Sequence, residues 1–224
     1  MLEVTRLNAW YGDAQALFDV SLQVKPGELV VLDGLNGAGK SSLLQSLMGL
    51  GPRAQGGIVF AGRDISHLPT HRRALMGLGY VPENRRLFAD LTVLENLTVA
   101  ARPGVSHGQQ PDMYGQLEQV FAMFAPLKPL RKRRAAEMSG GEQQMLSIAR
   151  TLMTAPTMLL LDEPCEGIAP VLVESIRDAL LALKAQGLPM LIAEQNALLS
   201  DHADRVITLV TGHISRPLSE HNET

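Results

Sequence analysis

A chain of 224 residues, 46% of them hydrophobic, has room for one α/β core with a smaller lobe, and 20 Lys and Arg against 23 Asp and Glu leave a formal net charge of −3. No broad positive field exists to attract nucleic acid, which disfavours DNA or RNA as the main partner. The opening MLEVTRLNAW lacks the apolar run of a signal peptide, no later run nears the roughly 18 apolar residues of a membrane span, and the single Cys165 can form no internal disulfide. The expectation is a soluble unit in a reducing compartment.

In chain order, the alternating VTRLNAWYG and FDVSLQV between Leu2 and Val24, followed by the turn KPGE, predict an antiparallel edge sheet. ELVVLDG, GGIVFAG, LGYVP, TMLLLDEP, LPMLIAE and DRVITLV then read as strands separated by helical patterns. Several are apolar on both faces, the signature of parallel strands buried under helices. Between Thr92 and Arg134 the strand signals vanish. TVLENLTVAA and MYGQLEQVFAMFAPL read as helices flanking the polar loop RPGVSHGQQPD, a helical insert within the α/β core.

The first motif is Gly34-x4-Gly39-Lys40-Ser41, set between the strand ELVVLDG and apolar positions at helical spacing. Glycines let successive backbone amides turn toward phosphate oxygens. Lys40 supplies a compact cation, Ser41 a hydroxyl for Mg²⁺, and the helix that follows points its positive end at the anion. A plain glycine-rich turn would need neither the lysine nor the hydroxyl.

The second motif is Ser139-Gly140-Gly141-Glu142 before QQMLSIARTLM. A capping box explains Ser139 and Glu142. It leaves the paired glycines unexplained, since they weaken a helix; their use is to bare backbone amides for an anion, and a second anion site is the favoured reading. Next, TMLLLDEP ends an apolar strand in Asp162 and Glu163, whose side chains project to different sides. Asp162 can serve the metal while Glu163 acts as general base or water-orienting group toward the γ-phosphate. Cys165 reads as a small packed residue. The run Arg131 to Arg134 reads as a solvated face. The six histidines, His67, His71, His107, His202, His213 and His221, show no metal-ligand spacing.

The order of phosphate loop, helical insert, SGGEQ and LLLDEP resembles the ATP-binding subunits of ABC transporters across essentially the whole chain. The resemblance implies a P-loop NTPase core of the RecA-like α/β class with a mostly parallel sheet, an N-terminal antiparallel β subdomain and an inserted helical subdomain. Residues 1–91 and 155–224 would form the nucleotide-binding core, and 92–154 the helical subdomain. It implies ATP and Mg²⁺ as cofactors, with Asn36, Gly37, Ala38, Gly39, Lys40, Ser41 and Ser42 around the phosphates and Tyr11 stacked on adenine. Ser139, Gly140 and Gly141 would contact the γ-phosphate of ATP held by a second subunit, in a head-to-tail pair of like or related chains. Ser41, Glu83 and Asp162 would meet the metal. Glu163, Gln195 and Glu83 would serve hydrolysis, and the loop Glu166 to Pro170 would cross the dimer interface.

Two positions depart from the general family pattern. Glu83, in VPENRRLF, stands where most members carry glutamine, and Gln195, in AEQN, where most carry histidine. A carboxylate oxygen can make the same metal contact, while the amide of Gln195 offers a hydrogen bond without a cationic form. VPENRR, MSGGEQQML and EQN together resemble the ATPases of branched-chain amino acid importers and of related urea and amide importers. CEGIAP differs from the SLGLAP of that subfamily. The resemblance implies integral membrane permease subunits, a periplasmic solute-binding protein acting indirectly, and residence on the cytoplasmic face of the inner membrane. The competing classes are a non-transport ABC ATPase acting on nucleic acid or ribosomes, which would carry coiled-coil inserts, paired domains or a basic surface, and a small-molecule P-loop kinase, which would have no use for SGGEQ.

Overall fold

Two apolar stripes face one core: Leu2, Val4, Leu7 and Ala9 in β1 (Leu2–Tyr11), and Leu17, Val20, Leu22 and Val24 in β2 (Ala14–Val24). This is seen in a computed structural model of the chain, which describes residues 1–101, 113–195 and 197–215. The strands pair antiparallel, and register shifts flank Arg6 (φ 46°) and Asp19 (φ 50°), which enter the left-handed region. Those bulges let the inward positions keep facing the core although the strict alternation breaks.

GGIVFAG departs from the two-sided pattern of its neighbours in the sequence. It lies in β4 (Arg53–Phe60), antiparallel to β1, with the short β5 (Arg63–Asp64) beyond. Only Ile58 and Phe60 of β4 are buried, which is the one-faced burial of an antiparallel sheet. The predicted edge sheet is therefore four-stranded, in the order β2-β1-β4-β5.

The second sheet has the order β10-β9-β3-β8-β7-β6, with β3 (Leu29–Asp33), β6 (Leu78–Val81), β7 (Met158–Asp162), β8 (Met190–Ala193), β9 (Arg205–Val210) and β10 (His213–Ile214). Every pairing is parallel except β10 with β9. In β3, Leu29 and Val31 face one core and Val30 and Leu32 the other, the period of two expected of a strand covered on both sides. One core fills the space between the two sheets around α1 (Lys40–Met48). Its C-terminal end is capped by the buried Arg73 of α2 (Thr70–Leu75), which donates to the Ser46 and Leu47 carbonyls at 2.9 and 2.8 Å.

The other core lies under α3 (Val93–Ala100), α4 (Met113–Met123), α5 (Gly140–Leu152) and α6 (Pro170–Ala185). The helices expected in TVLENLTVAA and MYGQLEQVFAMFAPL are α3 and α4; the loop RPGVSHGQQPD lies outside the described residues. This helical stretch closes no core of its own: its Leu97, Val120, Phe124 and Ile148 share one cluster with Leu159, Leu161 and Ile192 of the sheet. Arg131 to Arg134 are exposed, and the carbonyls of Arg131 and Arg133 accept the first amides of α3. Among the described residues, no helix is long and apolar enough to cross a membrane.

Candidate active site

In an open parallel sheet, ligands gather at the carboxyl ends of the strands. Here the ends of the neighbouring strands β3, β8 and β7 deliver, respectively, the loop 34–39, the pair Glu194 and Gln195, and the pair Asp162 and Glu163. The loop after β3 can form only because of its glycines. Gly39 (φ 106°) is the N-cap of α1, where a side chain would press on Leu17 Cδ2 at 3.0 Å and the Ala16 carbonyl at 3.2 Å. With glycine at the cap, no side chain caps the helix and no acidic residue sits in its first turn. The first amides of α1 thus stay available to an anion.

Lys40 is buried. Its Nζ donates to the Gly34 carbonyl at 2.6 Å and lies 3.1 Å from Glu163 Oε1, a pair whose side chains are 3% and 9% exposed. Burial alone would push the Glu163 carboxyl up. Hydrogen bonds from Glu166, Lys40 and Gln195, with the charge of Lys40, outweigh it and hold Glu163 below the ordinary glutamate range. Glu163 also sits at φ 46°, a left-handed conformation that costs a non-glycine residue about 1–3 kcal/mol and is tolerated where function over-determines the backbone.

Asp162 is 1% exposed. Its Oδ1 accepts from Ser41 Oγ at 2.8 Å and its Oδ2 from Tyr80 Oη at 3.1 Å. Burial pushes its carboxyl up; the two hydroxyl donors act against burial, while the charges of Glu83 and Glu163 add to it. A cation beside Asp162 would relieve that burden, and the hydroxyl of Ser41 and the carboxylate of Asp162 are hard oxygen donors of the kind Mg²⁺ takes. Among the described residues no group of three or more His, Cys, Asp or Glu could hold a metal unaided. A cation here would therefore need further oxygens from outside these side chains.

A cavity of about 810 Å³ opens over these groups, lined by Asn36, Gly37, Gly39, Lys40, Ser41, Ser42, Glu83 and Glu163. Gln195 is exposed at its rim, with Nε2 bonded to Asn36 Oδ1 and its amide donating to Glu194 Oε1 at 3.0 Å. Phosphate loop, acidic pair, Glu83 and Gln195 are thus brought together. Tyr11 does not line the cavity: its ring is half exposed and its hydroxyl meets Gln45 Oε1 at 3.2 Å and Ser42 Oγ at 3.4 Å.

Ser139, Gly140 and Gly141 do not line it either. Ser139 Oγ accepts the Glu142 amide at 3.4 Å and Glu142 Oε2 accepts the Ser139 amide at 2.8 Å, so a capping box is formed. The two glycines have different causes. A Cβ on Gly141 would lie 2.4 Å from Leu172 Cδ1 and 2.9 Å from Ile168 Cγ2, so packing inside the chain requires glycine there. A Cβ on Gly140 would come no nearer than 3.4 Å to Arg85, ordinary contact, and its φ is not positive. Among the described residues, nothing demands a glycine at 140.

Sequence reasoning missed three contributors. Tyr80, one strand away on β6, steadies Asp162, and only sheet order could reveal it. Glu166 hydrogen-bonds to Glu163, which pushes its carboxyl up to about 7. Glu194, 4% exposed, accepts the amide of Cys165 at 3.2 Å as well as that of Gln195, tying two loops together. Cys165 is 7% exposed and pushed up to about 12 by burial, as expected of a packed thiol.

The model of one protein family, described as ABC transporter, matches residues 17–166. The chain is 42% identical over 215 residues to the high-affinity branched-chain amino acid transport ATP-binding protein BraG of Pseudomonas aeruginosa, covering 96% of this chain and 91% of that one. It is 35% identical over 217 residues to the probable branched-chain amino acid transport ATP-binding protein LivF of Archaeoglobus fulgidus, covering 96% and 90%. Among solved structures, the ADP conformation of the ATP-binding cassette MJ1267 superposes with a TM-score of 0.77 at 30% identity, covering 96% of this chain and 89% of that one.

Proposed function

The chain belongs to the ABC transporter family as an ATP-hydrolysing subunit, and from that premise we propose that its ATP turnover drives import of branched-chain amino acids through separate membrane subunits. The substrate class rests on the likeness to BraG and LivF and on VPENRR, MSGGEQQML and EQN. The reading includes a second ATPase subunit, permease subunits, an indirectly acting periplasmic solute-binding protein and a place on the cytoplasmic face of the inner membrane. It also takes 92–154 as a helical unit on the core formed by 1–91 and 155–224.

One observation carries it: the cavity is lined by Lys40, Ser41 and Glu163, with Asp162 behind Ser41, but leaves Ser139 and Gly140 outside. Each chain then holds one half of a site and lends Ser139 and Gly140 to the other half on its partner. The amides of residues 36–42 and Lys40 bind the phosphates, and Tyr11, outside the cavity but next to its lining residue Ser42, packs against the part of the base that projects beyond it. Ser41 and Asp162, with Glu83 nearby, are the residues that would hold Mg²⁺, and the ion would supply positive charge to offset that of the phosphates. In the chain alone, Glu163 is engaged by Lys40 and its basicity is held down. When phosphate oxygens take Lys40, Glu163 loses that partner, becomes the stronger base and accepts a proton from the attacking water, which Gln195 orients. Closure of the pair completes the site; product release lets it open.

Glu163→Gln tests this reading. With Mg²⁺ and ATP it should keep nucleotide and accumulate as a dimer while turnover falls at least about a hundredfold; turnover at the wild-type rate would remove Glu163 from its role. The cargo is tested by reconstituting the chain with its membrane subunits in proteoliposomes and measuring ATP-driven leucine uptake.

A further inference from the structure

The loop that carries Glu83 is tied to α5 by hydrogen bonds at Arg85, with Phe88 packed under the guanidinium of Arg150 further along. The guanidinium of Arg85 forks onto two neighbours, with Nε donating to Gln144 Oε1 at 3.3 Å and Nη1 to Gln143 Oε1 at 3.2 Å. Its carbonyl accepts from Ser147 Oγ at 3.0 Å and from Arg150 Nη2 at 3.1 Å. Residues 143, 144, 147 and 150 lie along one side of α5 at helical spacing, so the helix grips Arg85 over two turns. Towards the start of α5, the same guanidinium lies beside Gly140.

The turn itself is tight. Arg85 donates its amide to the Pro82 carbonyl at 3.0 Å and Arg86 to the Asn84 carbonyl at 2.6 Å, and both arginines sit in the left-handed region, at φ 60° and 46°. Non-glycine residues hold such a conformation where their surroundings impose it. Gln144 is 2% exposed, and its Nε2 is a buried donor with no partner among the described residues. A buried donor left unpaired is costly, so the position of Gln144 is imposed by the packing around it.

We infer that Arg85 is a positioning residue that couples the two nucleotides of a dimer: it carries the position of the Glu83 loop, set by the ATP of its own chain, to Ser139 and Gly140, which meet the ATP of the other. This rests on the shared-site reading above. α5 is the element between the two ends, and Arg85 is its hydrogen-bonded attachment to the loop. A lysine cannot replace it, since a single ammonium on a flexible stem lacks the fork that spans Gln143 and Gln144.

The test uses the full chain in the Glu163→Gln background. Arg85→Ala and Arg85→Lys are each made with and without Glu83→Ala, reading the ATP concentration for half-maximal dimerisation by sedimentation, the ATP affinity of the single chain, and the melting temperature. Arg85→Ala should raise the ATP needed for dimerisation about tenfold or more, within the usual range of coupling between sites, while single-chain affinity stays within about twofold. Arg85→Lys should follow it, and because it keeps the aliphatic stem it carries the comparison if the alanine variant folds poorly. In the Glu83→Ala background the further rise should shrink to within about twofold, the non-additivity of residues acting through one another. Dimerisation at unchanged ATP concentration, or the same fold rise with and without Glu83, overturns the inference alone. A Glu163→Gln chain with Arg85 intact that forms no ATP-dependent dimer overturns the shared-site reading, and the inference with it.

Discussion

The two glycine-rich helix entrances of this chain look alike on paper and differ in state. At α1 the cap is Gly39, with no side-chain cap and no acidic residue in the first turn; at α5, Ser139 and Glu142 close a capping box. The first entrance leaves its amides uncapped and faces a cavity lined by Lys40 and Ser41. The second has satisfied itself and lies outside that cavity, so any anion it meets must come from elsewhere and must compete with the carboxylate of Glu142. Pattern alone cannot separate a site that is complete from one that waits for a partner; the hydrogen bonds at each helix start do.

Substitutions at the two entrances should therefore fail differently. The largest effect is expected from Lys40→Ala: loss of a buried cation that bonds to charged oxygens should weaken ATP binding to the single chain roughly 10- to 100-fold, measured by equilibrium dialysis. Ser139→Ala should leave that single-chain affinity within about twofold while ATP turnover drops roughly tenfold or more. Weakened single-chain binding in the Ser139 variant would make the two entrances alike and break the contrast.

The glycines sharpen the same contrast through stability. Gly141→Ala must push Leu172 and Ile168 aside, and overpacking of this kind costs about 1–3 kcal/mol in denaturant unfolding. Gly140→Ala should cost nothing and gain up to about 1 kcal/mol of helix propensity, yet impair ATP-dependent dimerisation. A stable Gly140→Ala chain that dimerises normally would leave that glycine without a purpose.

The smallest effect concerns Glu166 and pH. Its carboxyl is raised to about 7 by the hydrogen bond with Glu163, so between the ordinary glutamate range and about pH 7 the folded chain holds a proton that the unfolded chain has released. Stability from this group is fully present below that window and is lost as pH rises through it. Glu166→Gln should flatten this part of the melting temperature's pH dependence, and an unaltered slope would show that the pair is not coupled.

Much of this was legible in the sequence. The loop Gly34 to Ser41 and the pair Asp162 and Glu163 are contiguous motifs, and the strands before them are apolar on both faces, so position and chemistry are written in one stretch. What depends on sheet order is not. GGIVFAG reads like a buried strand yet belongs to the antiparallel sheet, because its buried residues, Ile58 and Phe60, alternate with less buried ones. Tyr80 reaches Asp162 only because β6 lies beside β7, and Arg85 meets α5 across 58 and 59 residues of chain. The twin glycines of SGGEQ looked equivalent, and only the neighbours Leu172 and Ile168 tell them apart.

The shared-site reading is tested most directly by solving the structure of the Glu163→Gln chain with ATP and Mg²⁺ and asking which chain supplies the hydroxyl nearest each γ-phosphate. The expected result is a head-to-tail dimer in which Ser139 of one protomer bonds the γ-phosphate that Lys40 holds in its partner, with the Ser139 to Glu142 cap loosened. A nucleotide enclosed by one chain, with both copies of Ser139 remote from every γ-phosphate and still capped by Glu142, would contradict it.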